Sequence, residues 1–545
     1  MGMPGSEIDF LHRMKVTRYV YIPVRDGARI AADIYRPVAD GRYPCLLVQT
    51  PYNKNNFGAE AAARYVGAGY VLCVTDVRGA GGSEGEIAYY NIPAPDRDRA
   101  DHPEPQEFAG PFDGADVVEW LAAQEFSDGK VGTFGGSALG ISQLLTARGR
   151  PEHLCAMYVQ VAPVSYYVDR WFPGGIHNLS STVAWQDGMT DRIGAAAPVQ
   201  DVSGLVGEVD PEGDKIRRRV SLERLRLRGE RSRDGRWTAL LERFFVLRNT
   251  PEFGAVWKEY YHAPFLETCD VPVHYTGVWY DHFVRGSCES YVKHKGPKML
   301  TVQPSGQGLH GDHADVDMTA EHIRWFDHWL KGIDNGVTDG PPVRLFVMGE
   351  EKWRGFEAWP PPEAKDAPFG LAAGGSLVSG DGGDFEDAIE HDPADPVMGC
   401  DVADVREYEA RSLTYTTGPL EEELTVIGEP KLKLTVKCSS ADGHVFVKLC
   451  DVFPDDDGGP GRSRQVTNGR LRLALRESFE KAVPMPSGEA VPVEIDLWPV
   501  ANTFKAGHRV RLVIGASEAP TAEIYPEACT ITVSGAALLA LPIVE

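Results

Sequence analysis

Val131-Gly132-Thr133-Phe134-Gly135-Gly136-Ser137-Ala138-Leu139-Gly140 is a short apolar run that ends in glycines around one serine and passes into a helical pattern. Physically it reads as a strand that breaks sharply into a helix, a nucleophile elbow. In such a turn the serine is held in a strained backbone conformation that only very small neighbours tolerate. Gly135 and Gly136 meet that need. Beyond the serine, Leu139, Ile141, Leu144, Leu145 and Ala147 are spaced as one buried helix face. The start of that helix would aim its N–H groups and positive dipole end at an oxygen reacting with Ser137. A plain strand-to-helix connection with Ser137 as N-cap satisfies the same run. Leu139 also stands where the common G-x-S-x-G turn has its second glycine, so corroboration has to come from elsewhere in the chain.

A chain of 545 residues, 43% of them hydrophobic, is long enough for roughly three or four domains, each with its own core. The formal net charge of -24 argues against nucleic acid and anionic membrane surfaces, which both need a basic face. Small molecules or proteins are the expected partners, and self-association as a homo-oligomer stays open. Nine cysteines, scattered singly and without C-x-x-C spacing, read as buried thiols in a reducing compartment. Met1 to Met14 has no apolar signal core and no later run approaches a membrane span, so the expectation is a cytoplasmic protein.

Tyr19 to Pro23 and Arg29 to Arg36 are strand-like and joined by Arg25-Asp26-Gly27, a hairpin signal. Cys45 to Val48 and Tyr70 to Val74 are wholly apolar, with a helical stretch from Ala59 to Val66 between them, a pattern of buried parallel strands and a crossover helix. A second helical pattern, Ala115 to Gln124, leads into the elbow strand. This order is that of an α/β hydrolase. From residue 149 to 259 the parallel-sheet pattern gives way to aromatic loops and a charged helical stretch, Arg217 to Arg248, read as an inserted helical cap. Strands return at Val271 to Val278 and Met299 to Val302, followed by an amphipathic helix with Ile323, Trp325, Phe326, Trp329 and Leu330 and a closing strand at Val343 to Met348. The expected organisation is a discontinuous α/β hydrolase domain over 1–148 and 260–355, a cap over 149–259, and an all-β sandwich, a jelly roll, over 356–545. Within the last, Gly374 to Asp404 reads as surface loop, and Lys431 to Lys437 alternates strictly between apolar and polar.

A serine hydroxyl needs a base to take its proton and a carboxylate to orient that base. Asp281 is the first carboxylate after the strand Val271 to Val278, and the next strand runs into Pro304-Ser305-Gly306-Gln307-Gly308-Leu309-His310-Gly311-Asp312-His313. Ser137, Asp281 and a histidine thus each follow a strand in the order Ser, acid, His. An Asp after a strand also serves as a turn residue, and His-x-x-His can pair on a metal, although no Cys or Glu partner stands near. Neither a metal nor an organic cofactor is expected.

The chain resembles the cocaine esterase and X-prolyl dipeptidyl-peptidase family of α/β-hydrolase serine hydrolases. The stretches that carry the likeness are Val24-Arg25-Asp26-Gly27, Thr50-Pro51-Tyr52-Asn53-Lys54, Asp76-Val77-Arg78-Gly79 with Ser83-Glu84-Gly85, Val118-Glu119-Trp120-Leu121, Ser127 to Gly132, Gly277 to Phe283, and Asp496-Leu497-Trp498-Pro499 with Ala506-Gly507-His508-Arg509. The resemblance implies Ser137 as nucleophile, Asp281 as triad acid, and the Tyr52 hydroxyl with the Ala138 N–H as oxyanion donors. The family's base lies in a Gly-Pro-Trp-x-His type of segment. Here the segment lacks the Trp and is longer, which leaves His310 as first choice and His313 as runner-up. Ala138 replaces the family's common large aromatic, altering the acyl-pocket wall and leaving the backbone donor in place.

The aromatic segment around Trp171 and Phe172, with Trp185 and Phe283, reads as a pocket for an apolar or aromatic acyl group, or equally as cap core. Relatives acting on α-amino acid esters carry an acidic cluster for the ammonium, whereas Asp281 is followed by His282, Phe283, Val284 and Arg285. The expected reaction is therefore hydrolysis of a small neutral carboxylic ester through an acyl-enzyme. An X-Pro dipeptidyl-peptidase or amidase on the same scaffold is the first rival, and a non-catalytic carbohydrate- or protein-binding protein the second.

Overall fold

The computed structural model describes residues 14–85, 112–185, 207–234, 247–304, 317–455 and 461–544, excepting the side chains of 224–234. The Asp26-Gly27 turn joins β1 (Met14–Pro23) to β2 (Arg29–Pro37) in an antiparallel pair. Seven strands then run parallel: β3 (Tyr43–Thr50), β4 (Val71–Asp76), β5 (Ser127–Gly136), β6 (Leu154–Gln160), β8 (Val273–Val278), β9 (Lys298–Gln303) and β10 (Val343–Val347). With the two-residue β7 (Glu208–Val209) and β11 (Lys352–Phe356) they form one sheet in the order β11-β10-β9-β8-β6-β5-β3-β4-β2-β1-β7. Every side chain of β4 is buried, as befits a strand with both faces covered. One face carries α1 (Ala59–Gly67) and α6 (Met318–Lys331), whose Tyr65, Val66, Trp325, Phe326 and Leu330 pack with Phe134 and Tyr158 of the sheet. The other carries α2 (Asp113–Ala122), α3 (Ala138–Arg148) and α5 (Val284–Lys293), while α4 (Pro211–Asp234) follows the edge strand β7.

The chain runs outward from β3 to β4, then crosses back to start β5 on the other side of β3. The strand order therefore reverses between β3 and β5. In open α/β sheets such a switch point leaves a crevice at the carboxyl ends of the strands where ligands bind.

Three expectations need correction. Leu154 to Gln160, inside the stretch assigned to the cap, is the central strand β6 between β5 and β8. A short apolar run of that length carries no periodicity that separates a buried strand from other buried segments. β11 extends the sheet past the strand expected to close it, pairing antiparallel with β10. Within Gly374 to Asp404, β13 (Ser376–Ser379) and β14 (Glu386–His391) stand where surface loop was expected. The ladder of β14 to its neighbour uses backbone groups, and only Ile389 and His391 of its six side chains are buried, so composition conceals it.

The C-terminal region is built mainly of strands, among them β15 (Leu413–Thr416), β18 (His444–Val452), β19 (Ser463–Arg472), β20 (Val491–Asp496), β21 (Val500–Phe504) and β22 (Arg509–Gly515). Its spine is the fifteen-residue β23 (Cys529–Ile543), which pairs antiparallel with β14, with β12 (Lys365–Ala372), with β16 (Leu424–Gly428) and with β17 (Lys431–Cys438). Leu432, Leu434, Val436 and Cys438 of β17 are buried while Lys431, Lys433 and Lys437 are exposed, the alternation read from the sequence. Backbone bonds from Met348 to Ala501 (3.0 Å) and from Thr503 to Met348 (2.8 Å) join this region to the α/β sheet. Among the described residues no helix is long and apolar enough to cross a membrane.

Candidate active site

Ser137 follows the last residue of β5 with φ 56° and ψ -121°, outside the ordinary regions for a side-chain-bearing residue. Its tight turn depends on Gly135, whose φ is 138° and where a Cβ would come within 2.6 Å of the Leu139 Cβ. Gln143 braces the turn from behind: its amide donates to the carbonyls of Gly135 (2.9 Å) and Tyr158 (3.1 Å) and its oxygen accepts from Thr133 Oγ1 at 3.1 Å. The Ser137 side chain makes no capping bond to α3 and is partly exposed, whereas Ala138 is fully buried. α3 is buried almost all round, Ser142, Gln143 and Thr146 included, rather than along one face. Its hydroxyls turn inward, Ser142 to the Ala138 carbonyl and Thr146 to the Ser142 carbonyl.

Leu47 of β3 is paired with Thr133 of β5, and the same register carried forward sets Thr50 beside Gly136. Tyr52, two residues past β3, thus leaves the sheet at the same end as Ser137 and from the adjoining strand. It is partly exposed, its N–H donates to Thr50 Oγ1 at 3.0 Å, and its carbonyl accepts from the Asn56 amide at 2.7 Å.

Asp281 stands three residues beyond β8, in the turn before α5. Its N–H donates to the Val278 carbonyl at 3.1 Å, its Oδ1 accepts from the Phe283 N–H at 2.7 Å, and its carbonyl accepts from Val284 N–H at 3.1 Å. The carboxyl is densely surrounded although part of it still reaches solvent. Burial pushes it up to about 6, with the Phe283 N–H and the Arg170 guanidinium acting the other way. Two neighbours hold the turn: Trp279 Nε1 donates to the Phe346 carbonyl at 2.7 Å, and Tyr280, at φ 66°, donates its hydroxyl to the Gln465 carbonyl of the C-terminal region at 2.8 Å. Phe283 packs on Val161 and Val278, which brings the Asp281 turn against the residue next to Gln160, the partner of the Ser137 N–H.

His310 and His313 lie outside the described residues; β9, the strand beside β8, leads toward them. Trp171 and Phe172 are 1% and 2% exposed and sit among Tyr167, Trp257 and His177, so they are core rather than pocket wall. Aromatic residues clustered in sequence bury a large apolar area wherever partners from elsewhere meet them, and Trp257 supplies that partner here. Trp185 is partly exposed and Phe283 buried.

Sequence reading overlooked Arg170. Its side chain is buried, donates to Ser181 Oγ and the Ser181 carbonyl, and reaches His282 Nε2 at 3.2 Å. Because a guanidinium only donates, that nitrogen accepts and the imidazole is neutral, in line with burial pushing His282 down to about 3. Nothing in the local pattern Val168-Asp169-Arg170 announces a cation beside a turn more than a hundred residues away.

Residues 26–311 match the X-Pro dipeptidyl-peptidase (S15) family, and residues 335–541 match the X-Pro dipeptidyl-peptidase C-terminal non-catalytic domain. The chain belongs to the S15 family. This S15 family hydrolase is 29% identical to the cocaine esterase of Rhodococcus sp. (strain MB1 Bresler), over 93% of its own length and 91% of that protein. Among solved structures it is similar to an α-amino acid ester hydrolase, with a TM-score of 0.75, 22% identity and coverage of 100% and 98% of the two chains. An aminopeptidase from the marine sediment archaeon Thaumarchaeota archaeon has a TM-score of 0.77 at 20% identity, again over 100% and 98%. At these identities the two structures speak to the fold, and they share it over its whole length. The S15 chain therefore pairs a hydrolase region with a non-catalytic C-terminal domain built mostly of strands.

Proposed function

We propose that this S15 hydrolase cleaves small neutral carboxylic esters through a Ser-His-Asp triad on an α/β-hydrolase core, with a cap inserted after β6 and a jelly roll at the C-terminus. Ser137 attacks the ester carbonyl while His310 takes its proton, His313 being the runner-up for that role. Asp281 orients the imidazole and stabilises the imidazolium. The Tyr52 hydroxyl and the Ala138 N–H hold the oxyanion, and charge held only in the transition state is what accelerates the step. The imidazolium returns its proton to the departing alcohol. Water, activated by the same base, then releases the acid from Ser137.

The observation that carries this proposal is the backbone of Ser137, at φ 56° and ψ -121°, at the carboxyl end of β5 where the strand order reverses. A connection that merely joined strand to helix would have no reason to keep that strain. The preference for a neutral ester is supported by Asp169 and Glu289, carboxylates flanking the acid turn, which are both ion-paired to Arg285 and so are engaged before a substrate ammonium could use them. Trp185, which is partly exposed, supplies apolar surface suited to an apolar or aromatic acyl group, with the buried Phe283 packed under the Asp281 turn.

The test is a fluorophosphonate adduct mapped to Ser137 by peptide mass spectrometry, with turnover of p-nitrophenyl esters and X-Pro anilides compared in parallel. An adduct at Ser137 and faster ester turnover are expected. Turnover of the anilide alone makes the enzyme the dipeptidyl-peptidase that its family's description names, and absence of any adduct leaves a binding protein. Replacing His310 and His313 separately by Ala decides the base, since full activity in His310→Ala rejects the first choice.

A further inference from the structure

The turn that carries Tyr52 is fastened by charges buried beneath it. Lys54 is wholly buried, and its ammonium donates to Asp33 Oδ1 at 2.6 Å and to Asn55 Oδ1 at 3.0 Å while lying 3.6 Å from the centre of the Tyr19 ring. Asp33 is equally buried and its other oxygen accepts from Arg18 at 2.6 Å. The Lys54 backbone N–H donates to Asp76 Oδ1 at 2.6 Å, and Asp76 Oδ2 accepts from Gly82 N–H at 2.8 Å. One residue is thereby tied to β2 by its side chain and to the end of β4 by its backbone.

We infer that Lys54 is a positioning residue for Tyr52: the Lys54–Asp33 ion pair fixes the turn from Thr50 to Phe57 so that the Tyr52 hydroxyl meets the oxyanion. The inference rests on the oxyanion role given to Tyr52 under the proposed function. Within the turn, Asn53 at φ 81° accepts from the Asn55 N–H and the Asn56 N–H, and the Asn56 amide holds the Tyr52 carbonyl at 2.7 Å. At its start Val77 N–H donates to the Thr50 carbonyl at 3.0 Å. Lys54 is thus the buried anchor two residues beyond the tyrosine, and the exposed Asn56 closes the turn back onto the Tyr52 carbonyl.

An ammonium taken out of water is costly, and a well-packed apolar side chain would fill the same space at least as favourably. What a buried ion pair adds is direction, because its hydrogen bonds are satisfied in one geometry. A hydroxyl that must donate to an oxygen formed only in the transition state needs that directionality, since a displacement of about 1 Å can cost about a hundredfold in rate. Lys54 makes its bonds to Asp33, Asn55 and Asp76, and its part in the reaction runs through Tyr52.

The test is a double-mutant cycle on the full-length protein with p-nitrophenyl acetate, using Lys54→Met, Tyr52→Phe and the pair. Tyr52→Phe is expected to lower kcat by about a hundredfold or more, as loss of one oxyanion donor does. Lys54→Met is expected to lower kcat about tenfold or more with KM changed by less than about threefold, and to cause no further loss in the Tyr52→Phe background. Equal losses from Lys54→Met in both backgrounds, or an unchanged kcat, overturn the inference. Should Lys54→Met lack the native circular-dichroism spectrum, Asp33→Asn, which leaves the ammonium without its charged partner, goes through the same cycle under the same criteria. Wild-type turnover in Tyr52→Phe removes the oxyanion role itself and this inference with it, whereas an impaired Tyr52→Phe beside an unaffected Lys54→Met removes the positioning role alone.

Discussion

The backbone N–H of Ser137 donates to the carbonyl oxygen of Gln160 at 3.0 Å, tying the elbow to the end of the neighbouring strand β6. Gly140, in the first turn of α3, lies against the same carbonyl: a Cβ there would fall 2.9 Å from it and 2.9 Å from the Ala162 Cβ. Both neighbours are held, one by the sheet and one by packing, so a methyl group has to move the helix. Gly140→Ala is expected to cost about 1–3 kcal/mol in urea unfolding, the usual cost of overpacking. It should also lower kcat on p-nitrophenyl acetate by about tenfold or more if Ser137 is the nucleophile as proposed, since displacement of a reacting group is felt steeply. An unchanged kcat would show that the elbow does not depend on this contact.

As the acid of the proposed triad, Asp281 would link activity to pH. Its carboxyl is pushed up to about 6, chiefly by burial, and only the carboxylate can orient and charge-balance the imidazolium. The kcat/KM is therefore expected to fall as pH drops below about 6, with a slope of one proton. Stability runs the opposite way. The folded carboxyl holds its proton more tightly than the unfolded chain does, so its contribution is full below about pH 4 and is lost as pH rises through about 6. Because part of the group still reaches water, the cost at pH 7.5 is about 1–2 kcal/mol. Asp281→Asn should be inactive yet more stable than wild type by about 1 kcal/mol at pH 7.5, with the gain vanishing near pH 4. Urea melts at the two pH values check it, and a variant less stable at both contradicts the account.

How far the sequence discloses this molecule depends on how local each determinant is. The elbow, the hairpin at Asp26-Gly27, α6 and the alternation of β17 were all legible because each is written within about ten residues as a glycine constraint or a hydrophobic period. β6 escapes the sequence because a strand buried on both faces but for Cys155 has no period to read, and β14 because only two of its six side chains are buried. Trp171 and Phe172 show the limit for side chains: pocket wall and core have the same composition, and only distant Trp257 decides between them. Asp33 stands as a charge in the apolar run Ile30-Ala31-Ala32-Asp33-Ile34-Tyr35, and no spacing rule leads from it to Lys54. Arg170 left no trace at all, since its position beside Asp281 is set by the packing of α5 and the segment after β6.

Tyr280 carries a prediction about the C-terminal region. Its hydroxyl donates to the Gln465 carbonyl, so the residue next to Asp281 is fastened to a strand of the other sheet. Tyr280→Phe removes the bond without changing the packed volume and should cost about 1 kcal/mol in stability. If Asp281 is the triad acid as proposed and the C-terminal region steadies its turn, kcat also falls, by about two- to tenfold, with KM little changed. Steady-state kinetics at 25 °C read this, and a stability loss with kcat intact would confine the contact to holding the sheets together.

Arg78 and Asp26, which stand in two of the stretches that mark the family, are paired with each other rather than with the site. The Arg78 guanidinium donates to Asp113 Oδ2 at 2.8 Å and to Asp26 Oδ2 at 2.8 Å, joining the β1–β2 turn, the loop after β4 and the first turn of α2. Asp113 is 2% exposed, and its carboxyl is pushed up by burial while Arg78 draws it down. Arg78→Met strands that carboxylate in the interior and should cost about 3–5 kcal/mol at pH 8. Without the cation Asp113 holds its proton more tightly still, so the loss shrinks as pH is lowered and the group is neutralised. Removing the carboxylate as well, in Arg78→Met with Asp113→Asn, should recover most of the stability, because neither partner is then left charged and alone. Recovery to within about 1–2 kcal/mol of wild type, with kcat unchanged in the double variant, would assign the motif to architecture; no recovery would mean Arg78 acts through Asp26 alone.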